Sequence, residues 1–225
     1  GIRELVLVAQ DTAQYGADRT GEAGLARLLE RLLGETGVPR IRVLYAHPGH
    51  LQDDAIDLLG SESRLCGYLD LPIQHVNDRV LEAMGRGYDR EALEGLLDRL
   101  RRRSPEFVLR TTVLVGFPGE TEDAFCELLA FVEAGHFQNL GAFAYSRETG
   151  TPAAQYSAQV PAAEARRRLV AVAEAQQEVA FRWLDGRLGR WVDVLVDRQV
   201  GPGVAQGRTR CEAPEVDGVV RVKGT

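Results

Sequence analysis

With 225 residues, 44% of them hydrophobic and 27% charged, the chain is long enough for one large α/β domain, or for a large domain with a small module appended. No apolar run approaches the roughly 20 residues a membrane span needs, and a formal net charge of −6 excludes a surface built as a whole to hold a polyanion. Three isolated cysteines, Cys66, Cys126 and Cys211, offer neither a disulfide framework nor close metal-ligand spacing, and they point to a reducing, cytoplasmic compartment. Cys66 and Cys126 read as buried packing residues.

Gly1 runs straight into a strand, so neither a signal peptide nor an obvious natural start is expected. Residues 4–9 form a continuous apolar strand that ends in the polar cluster Gln10-Asp11-Thr12. Leu25, Leu28, Leu29, Leu32 and Leu33 then make one helical stripe, with Gly34 and Gly37 as its stop signals. A second strand over 41–45 stops at His47-Pro48-Gly49, and 53–59 is a short helix with Ile56 and Leu59 inward. A third strand, 67–73, ends in Gln74-His75 and passes into helix over 76–84. After the turn at Arg86-Gly87-Tyr88, Asp89 caps a helix whose core face is Leu93, Leu96, Leu97 and Leu100.

The fourth strand, 107–115, runs into Gly116-Phe117-Pro118-Gly119, which only a sharp turn accommodates. Thr121 caps the next helix, Glu122 and Asp123 suit its dipole, and Phe125, Leu128, Leu129 and Val132 face the sheet. A fifth strand spans 139–145, and Pro161 opens a long helix to about Leu184. From Trp191 the pattern alternates, turns at Gly201-Pro202-Gly203 and finishes on 219–222, a small β-rich module too short to close a barrel.

Strict strand–helix alternation implies parallel strands with right-handed crossovers, either a barrel or a doubly wound sheet. Polar residues cluster after each strand rather than before it. Gln10, Asp11, His47, Gln74, His75, Glu120, Tyr145 and Ser146 are therefore expected to share the carboxyl rim. Gly116 and Gly119 would let a ligand approach the backbone there, with Glu120 supplying a carboxylate. The runs Arg101-Arg102-Arg103 and Arg166-Arg167-Arg168 read as solvated helix faces.

Four stretches together resemble the radical S-adenosylmethionine methylthiotransferases: residues 7–12, residues 68–75, Arg-Thr-Thr-Val-Leu-Val-Gly-Phe-Pro-Gly-Glu-Thr over 110–121, and Phe-Ala-Tyr-Ser-Arg-Glu-Thr-Gly-Thr over 143–151. Gln10-Asp11, Gln74-His75 and Arg110-Thr111-Thr112 resemble the ribosomal-protein aspartate (RimO) type in particular, and the tail is similar to a TRAM substrate-recognition module. The resemblance implies a partial (β/α) TIM-type barrel over 1–158, a connecting helix over 159–187 and an incomplete TRAM-like module over 188–225. It implies sulfur insertion into a C–H bond of an aspartate of small-subunit ribosomal protein twelve, followed by methylation, with an electron donor such as flavodoxin and with tRNA a less favoured substrate. One molecule of S-adenosylmethionine would yield the radical and another the methyl group.

By the family's layout, Gln10 and Asp11 would meet the amino-acid end of S-adenosylmethionine, and Gln74 and His75 its ribose. Gly116, Glu120, Phe143, Tyr145 and Ser146 would lie near adenine, and Arg110 would pair with a carboxylate of cofactor or substrate. One departure bears on the chemistry. The family holds its radical-generating 4Fe-4S cluster with CxxxCxxC on the loop after the first barrel strand and a second cluster in a separate domain, and neither motif stands in this sequence. The chain then reads as a fragment, without the first barrel strand, that alone binds no cluster and turns nothing over. A tRNA adenosine methylthiotransferase and a non-catalytic ribosome- or RNA-binding barrel are the competing readings.

Overall fold

In a computed structural model, which describes residues 1–224, five parallel strands and their crossover helices precede a three-stranded antiparallel sheet. The strands β1 (Glu4–Leu7), β2 (Arg40–Val43), β3 (Leu65–Asp70), β4 (Val108–Val115) and β5 (Asn139–Ala144) lie in the order in which they occur in the chain. That order decides between the two α/β alternatives. A doubly wound sheet reverses direction at a switch point; a barrel does not. Between and after the strands run α1 (Ala17–Thr20), α2 (Leu25–Glu35), α3 (Asp53–Ser61), α4 (Asp78–Ala83), α5 (Arg90–Arg103), α6 (Glu122–Glu133) and α7 (Ala162–Asp185). β6 (Leu195–Gly201), β7 (Val204–Arg208) and β8 (Val220–Lys223) form the second sheet. None of these helices is long and apolar enough to cross a membrane.

Strand alternation separates two environments. One face, with Ile41, Val43, Leu65, Leu69, Leu109, Val113 and Val115, packs on Leu29, Ile56, Leu96 and Phe125 of the helices to form the main core. The other face is the inner wall, and it carries Glu4, Arg42, Tyr68, Asp70 and Arg110. Its lower part is closed from below by the second module. Ala213 and the half-buried Cys211 join Leu44, Cys66, Tyr68 and Val108 in a separate apolar cluster, against which Trp183 of α7 also packs.

Local details depart from the sequence expectations. α2 continues through Gly34 and ends at Thr36, whose hydroxyl donates to the Leu32 carbonyl at 2.7 Å, so a hydroxyl replaces the glycine stop. Cys66 is buried as expected, but Cys126 is exposed on α6. The second sheet begins at Leu195 rather than at Trp191, because residues 191–194 form no ladder.

Candidate ligand site at the barrel rim

The carboxyl ends of the strands bring Gln10, Asp11, His47, Gln74, His75, Gly116, Tyr145 and Ser146 to one rim, on the loops that directly follow β1 to β5. Two rim residues that are not glycine hold left-handed backbone: Tyr45, φ 57°, after β2, and Gln74, φ 65°, after β3. Such conformations cost of order 1–3 kcal/mol and persist where the surroundings over-determine them. At Gln74 the constraint is visible. Its N–H donates to the Thr112 carbonyl at 2.9 Å and its carbonyl accepts from Leu114 N at 2.8 Å, which locks it to β4.

The turn after β4 is tied internally. Glu120 is buried and takes three donors: the Gly116 N–H by a short hydrogen bond, His75 Nε2 at 3.3 Å and Arg168 Nη1 at 3.1 Å. Nδ1 of His75 accepts the Asn77 N–H at 3.0 Å, which places the ring proton on Nε2, facing Glu120. Glu120 therefore joins the β3 loop, the β4 turn and α7. The same contact corrects the reading of residues 166–168: Arg168 is buried against Glu120, and Glu164 Oε1 lies 2.8 Å from its Nε. Gly116 is also explained by packing. At φ 76°, a Cβ placed there would lie 2.5 Å from Ala165 Cβ of α7, so the missing side chain admits a helix rather than a ligand.

Asp11 is likewise engaged. Its Oδ1 accepts the backbone N–H groups of Ala13 at 3.1 Å and His47 at 3.0 Å, and its Oδ2 lies 2.6 Å from His50 Nδ1. The His50 ring stacks on His47 with centroids 4.4 Å apart. Burial, with Arg86 and His50 adding to it, pulls His47 down to about 4, so it is neutral at pH 7. Arg110 is not on the rim. It lies in the amino-terminal half of β4, with Nη1 2.7 Å from Asp217 Oδ1 and Nε 3.9 Å from Asp70 Oδ1. The carboxylates it meets belong to the chain itself.

Gln10 and Phe143 are exposed, and the exposed Ser146 directs its hydroxyl to Glu148 at 3.1 Å. A cleft of about 310 Å³ lies between the ends of β3 and β4 and residues 151–156, lined by Gln74, Met84, Arg86, Leu114, Phe117 and Tyr156 among others. Phe117 meets Tyr145 and Tyr156 edge-on, with centroids at 5.5 and 6.2 Å. Two buried donors in this region have no partner: Arg86 Nε and the Tyr145 hydroxyl. Apolar aromatic walls with unfilled donors suit a planar heterocycle that carries acceptors. Met84, Arg86 and Tyr156 were not legible in the sequence as site residues, because Arg86 sits in an ordinary turn and Tyr156 follows a single-turn helix outside the strand–helix pattern. Among the described residues no group of three or more His, Cys, Asp or Glu side chains could hold a metal ion. The three cysteines lie apart, one buried, one half-buried and one exposed.

The profile of the Radical SAM superfamily matches residues 2–132, and that of the TRAM domain matches residues 188–225. Proteins named ribosomal protein uS12 methylthiotransferase RimO align along nearly the whole chain. The one from Alkaliphilus oremlandii is 40% identical over 99% of this chain and 51% of its own length. The one from Desulforudis audaxviator is 45% identical over 98% of this chain and 49% of its own length. The chain thus spans about half the length of the curated relatives it matches. Among solved structures, the fold is similar to that of the Escherichia coli radical SAM enzyme coproporphyrinogen III oxidase, with TM-score 0.51 and 23% identity over 72% of this chain and 37% of that one. It is also similar to archaeal Elp3 from Methanocaldococcus infernus, with TM-score 0.54 and 10% identity over 91% of this chain and 64% of that one. By its profile match and its barrel, the chain belongs to the radical SAM superfamily.

Proposed function

We propose that this chain forms the S-adenosylmethionine-binding barrel and the substrate-facing module of a cytoplasmic methylthiotransferase that modifies an aspartate side chain of ribosomal protein uS12. The observation that carries the reading is the alignment along nearly the whole chain, at 40–45% identity, with proteins named for that activity. S-adenosylmethionine, when bound, supplies the adenosyl radical and the methyl group.

The residues present fit that cofactor. The walls formed by Leu114 and Phe117 would flank adenine, and Arg86, which also lines the cleft, would donate to its ring nitrogens or to the ribose. Gln10, Gln74, Phe143 and Ser146 would border the ribose and the amino-acid end. Asp11, His75, Gly116 and Glu120 would serve as positioning residues, fixing the loops rather than touching the ligand. The described residues do not fit an iron–sulfur cluster, since no convergent ligand set is present among them, and no step is assigned through one. The aromatic walls of Phe117 and Tyr156 would shield one side of the reacting groups from water. A flavodoxin-type donor would supply reducing electrons.

The test joins this chain to the part of the Desulforudis relative that it does not cover, reconstitutes the product anaerobically and weighs purified uS12 after incubation with S-adenosylmethionine and a reductant. A gain of one methylthio group, mapped to an aspartate, is expected. An unmodified uS12 beside a methylthiolated tRNA adenosine would move the substrate to RNA and contradict the reading.

A further inference from the structure

The loops after β1 and β2 carry a pair of side chains that the cofactor cleft does not use. Asp11 fills its Oδ1 with the backbone N–H groups of Ala13 and His47, at 3.1 and 3.0 Å, and turns its Oδ2 to His50 Nδ1 at 2.6 Å. A carboxylate accepts, so Nδ1 donates and Nε2 is the free nitrogen of His50. Nε2 has no hydrogen-bond partner among the described residues, and 43% of the side chain is exposed. The ring itself is braced. It stacks on His47 at 4.4 Å, and Tyr88 meets His47 edge-on at 5.4 Å. Asp11 thus fixes the orientation and tautomer of the ring and favours its charged form, leaving Nε2 as an open donor.

A substrate that bears a carboxylate needs a cation at this rim. Arg110 lies below it with Asp217 and Asp70, Arg86 lines the cofactor cleft, and Arg147 directs Nε to the Ala154 carbonyl at 2.8 Å. His50 is next to that cleft without entering its lining, since His47 touches Tyr88 and the Arg86 guanidinium lies 5.6 Å over the Tyr88 ring. The charged and titratable groups around the ring are Asp11 from the loop after β1, His47 from its own loop, and Arg86 and Tyr88 from the turn before α5. His47 is neutral at pH 7, and Tyr88 spends its hydroxyl on the Ile73 carbonyl at 2.7 Å. One imidazolium beside one carboxylate attracts a monoanion but disfavours a dianion, because Asp11 repels the second charge. A side-chain carboxylate fits better than a phosphate.

We infer that the Asp11–His50 pair is a recognition site for the side-chain carboxylate of the protein substrate, with His50 Nε2 donating to it and Asp11 as the positioning residue behind the ring. The inference rests on the proposed protein substrate and makes the loop after β2 the part of the rim that selects aspartate over asparagine.

With four histidines in the chain, imidazole NMR reads the site directly. Titrating N-acetyl-aspartate N-methylamide into this chain should shift the His50 Cε1–H resonance to saturation. His136, which stacks on Phe131 at the amino-terminal end of β5, should stay unmoved. The asparagine analogue should bind at least roughly tenfold more weakly, for want of a charge-assisted hydrogen bond. The dissociation constant should rise at least roughly tenfold between about pH 5.5 and about pH 8, as the imidazolium loses its proton. His50→Gln should weaken binding by at least roughly tenfold, followed through the His47 resonance. Asp11→Asn should move the loss of binding to lower pH, because the anion that favours the imidazolium is gone, a shift that a merely structural role would not produce. No saturable shift, equal binding of the asparagine analogue, tighter binding of inorganic phosphate, or undiminished binding by His50→Gln would overturn the inference. The readout needs no turnover, so selective, pH-dependent binding beside an unmodified uS12 would contradict the proposed activity and bear out the site.

Discussion

Asp70 shows how one residue can stand in two roles. Its side chain is buried on the inner wall, its Oδ1 has no hydrogen-bond partner, and Arg110 approaches no closer than 3.9 Å. Burial pushes its carboxyl up to about 6; Arg110 opposes this and Asp217 reinforces it. A carboxyl raised in the folded state binds its proton more tightly there than in the unfolded chain. Its contribution is therefore most favourable at low pH and is lost as pH rises from about 4 through about 6, by up to about 3 kcal/mol at roughly 1.4 kcal/mol per pH unit. Asp70→Asn should flatten that part of the stability–pH curve and leave the protein more stable than wild type at pH 7, read from urea midpoints at pH 4.5 and 7. The sequence placed Asp11 and Glu120 after their strands, and Arg110 within β4, without revealing their partners. Asp11, Glu120 and Arg110 are satisfied by His50, Arg168 and Asp217, at separations of 39, 48 and 107 residues, and no local pattern encodes such pairings.

At the scale of the element, the turn between β4 and α6 is where backbone and packing meet. Gly116 and Gly119 both hold positive φ, at 76° and 89°, but a Cβ at Gly116 collides with Ala165 while one at Gly119 points into open space. The two positions separate strain from overpacking. Gly119→Ala should cost about 1 kcal/mol of backbone strain alone, and Gly116→Ala about 2–5 kcal/mol, because α7 must also shift. Differential scanning calorimetry of the two variants measures both. The elements themselves were legible, since leucine stripes, caps at Asp89 and Thr121, and apolar strand runs are local signals. The single-turn helix over Pro152–Gln155, which helps form the cleft wall, carries no periodicity and was not foreseen.

Across the whole molecule, the second module is fastened to the floor of the barrel by buried polar contacts. Asp217 accepts from Arg110 Nη1 and the Tyr68 hydroxyl, each at 2.7 Å. Arg208 pairs with Glu4 of β1 at 2.6 Å, and Arg42 donates to the Arg210 carbonyl at 3.0 Å. The two sheets should therefore unfold as one unit, with tryptophan fluorescence and far-ultraviolet circular dichroism giving superimposable transitions. Asp217→Asn removes the carboxylate charge facing the half-buried Arg110 and should cost about 1–3 kcal/mol. It should also separate the two transitions. The barrel's order of strands and the existence of a β-rich tail were readable from alternation and composition, but the fastening was not, because it joins residues more than a hundred positions apart.

The central claim is that the cleft bordered by Gln74, Leu114 and Phe117 receives the adenosyl group of S-adenosylmethionine, and saturation-transfer NMR tests it most directly, since it detects weak binding by this chain without an assembled cluster. Irradiating the protein's methyl resonances should transfer saturation to the adenine protons, and Ala153→Arg, which places a long side chain in the cleft, should abolish the transfer in a variant that still folds. No transfer to adenine in the wild-type chain, or equal transfer in the Ala153→Arg variant, would contradict the account.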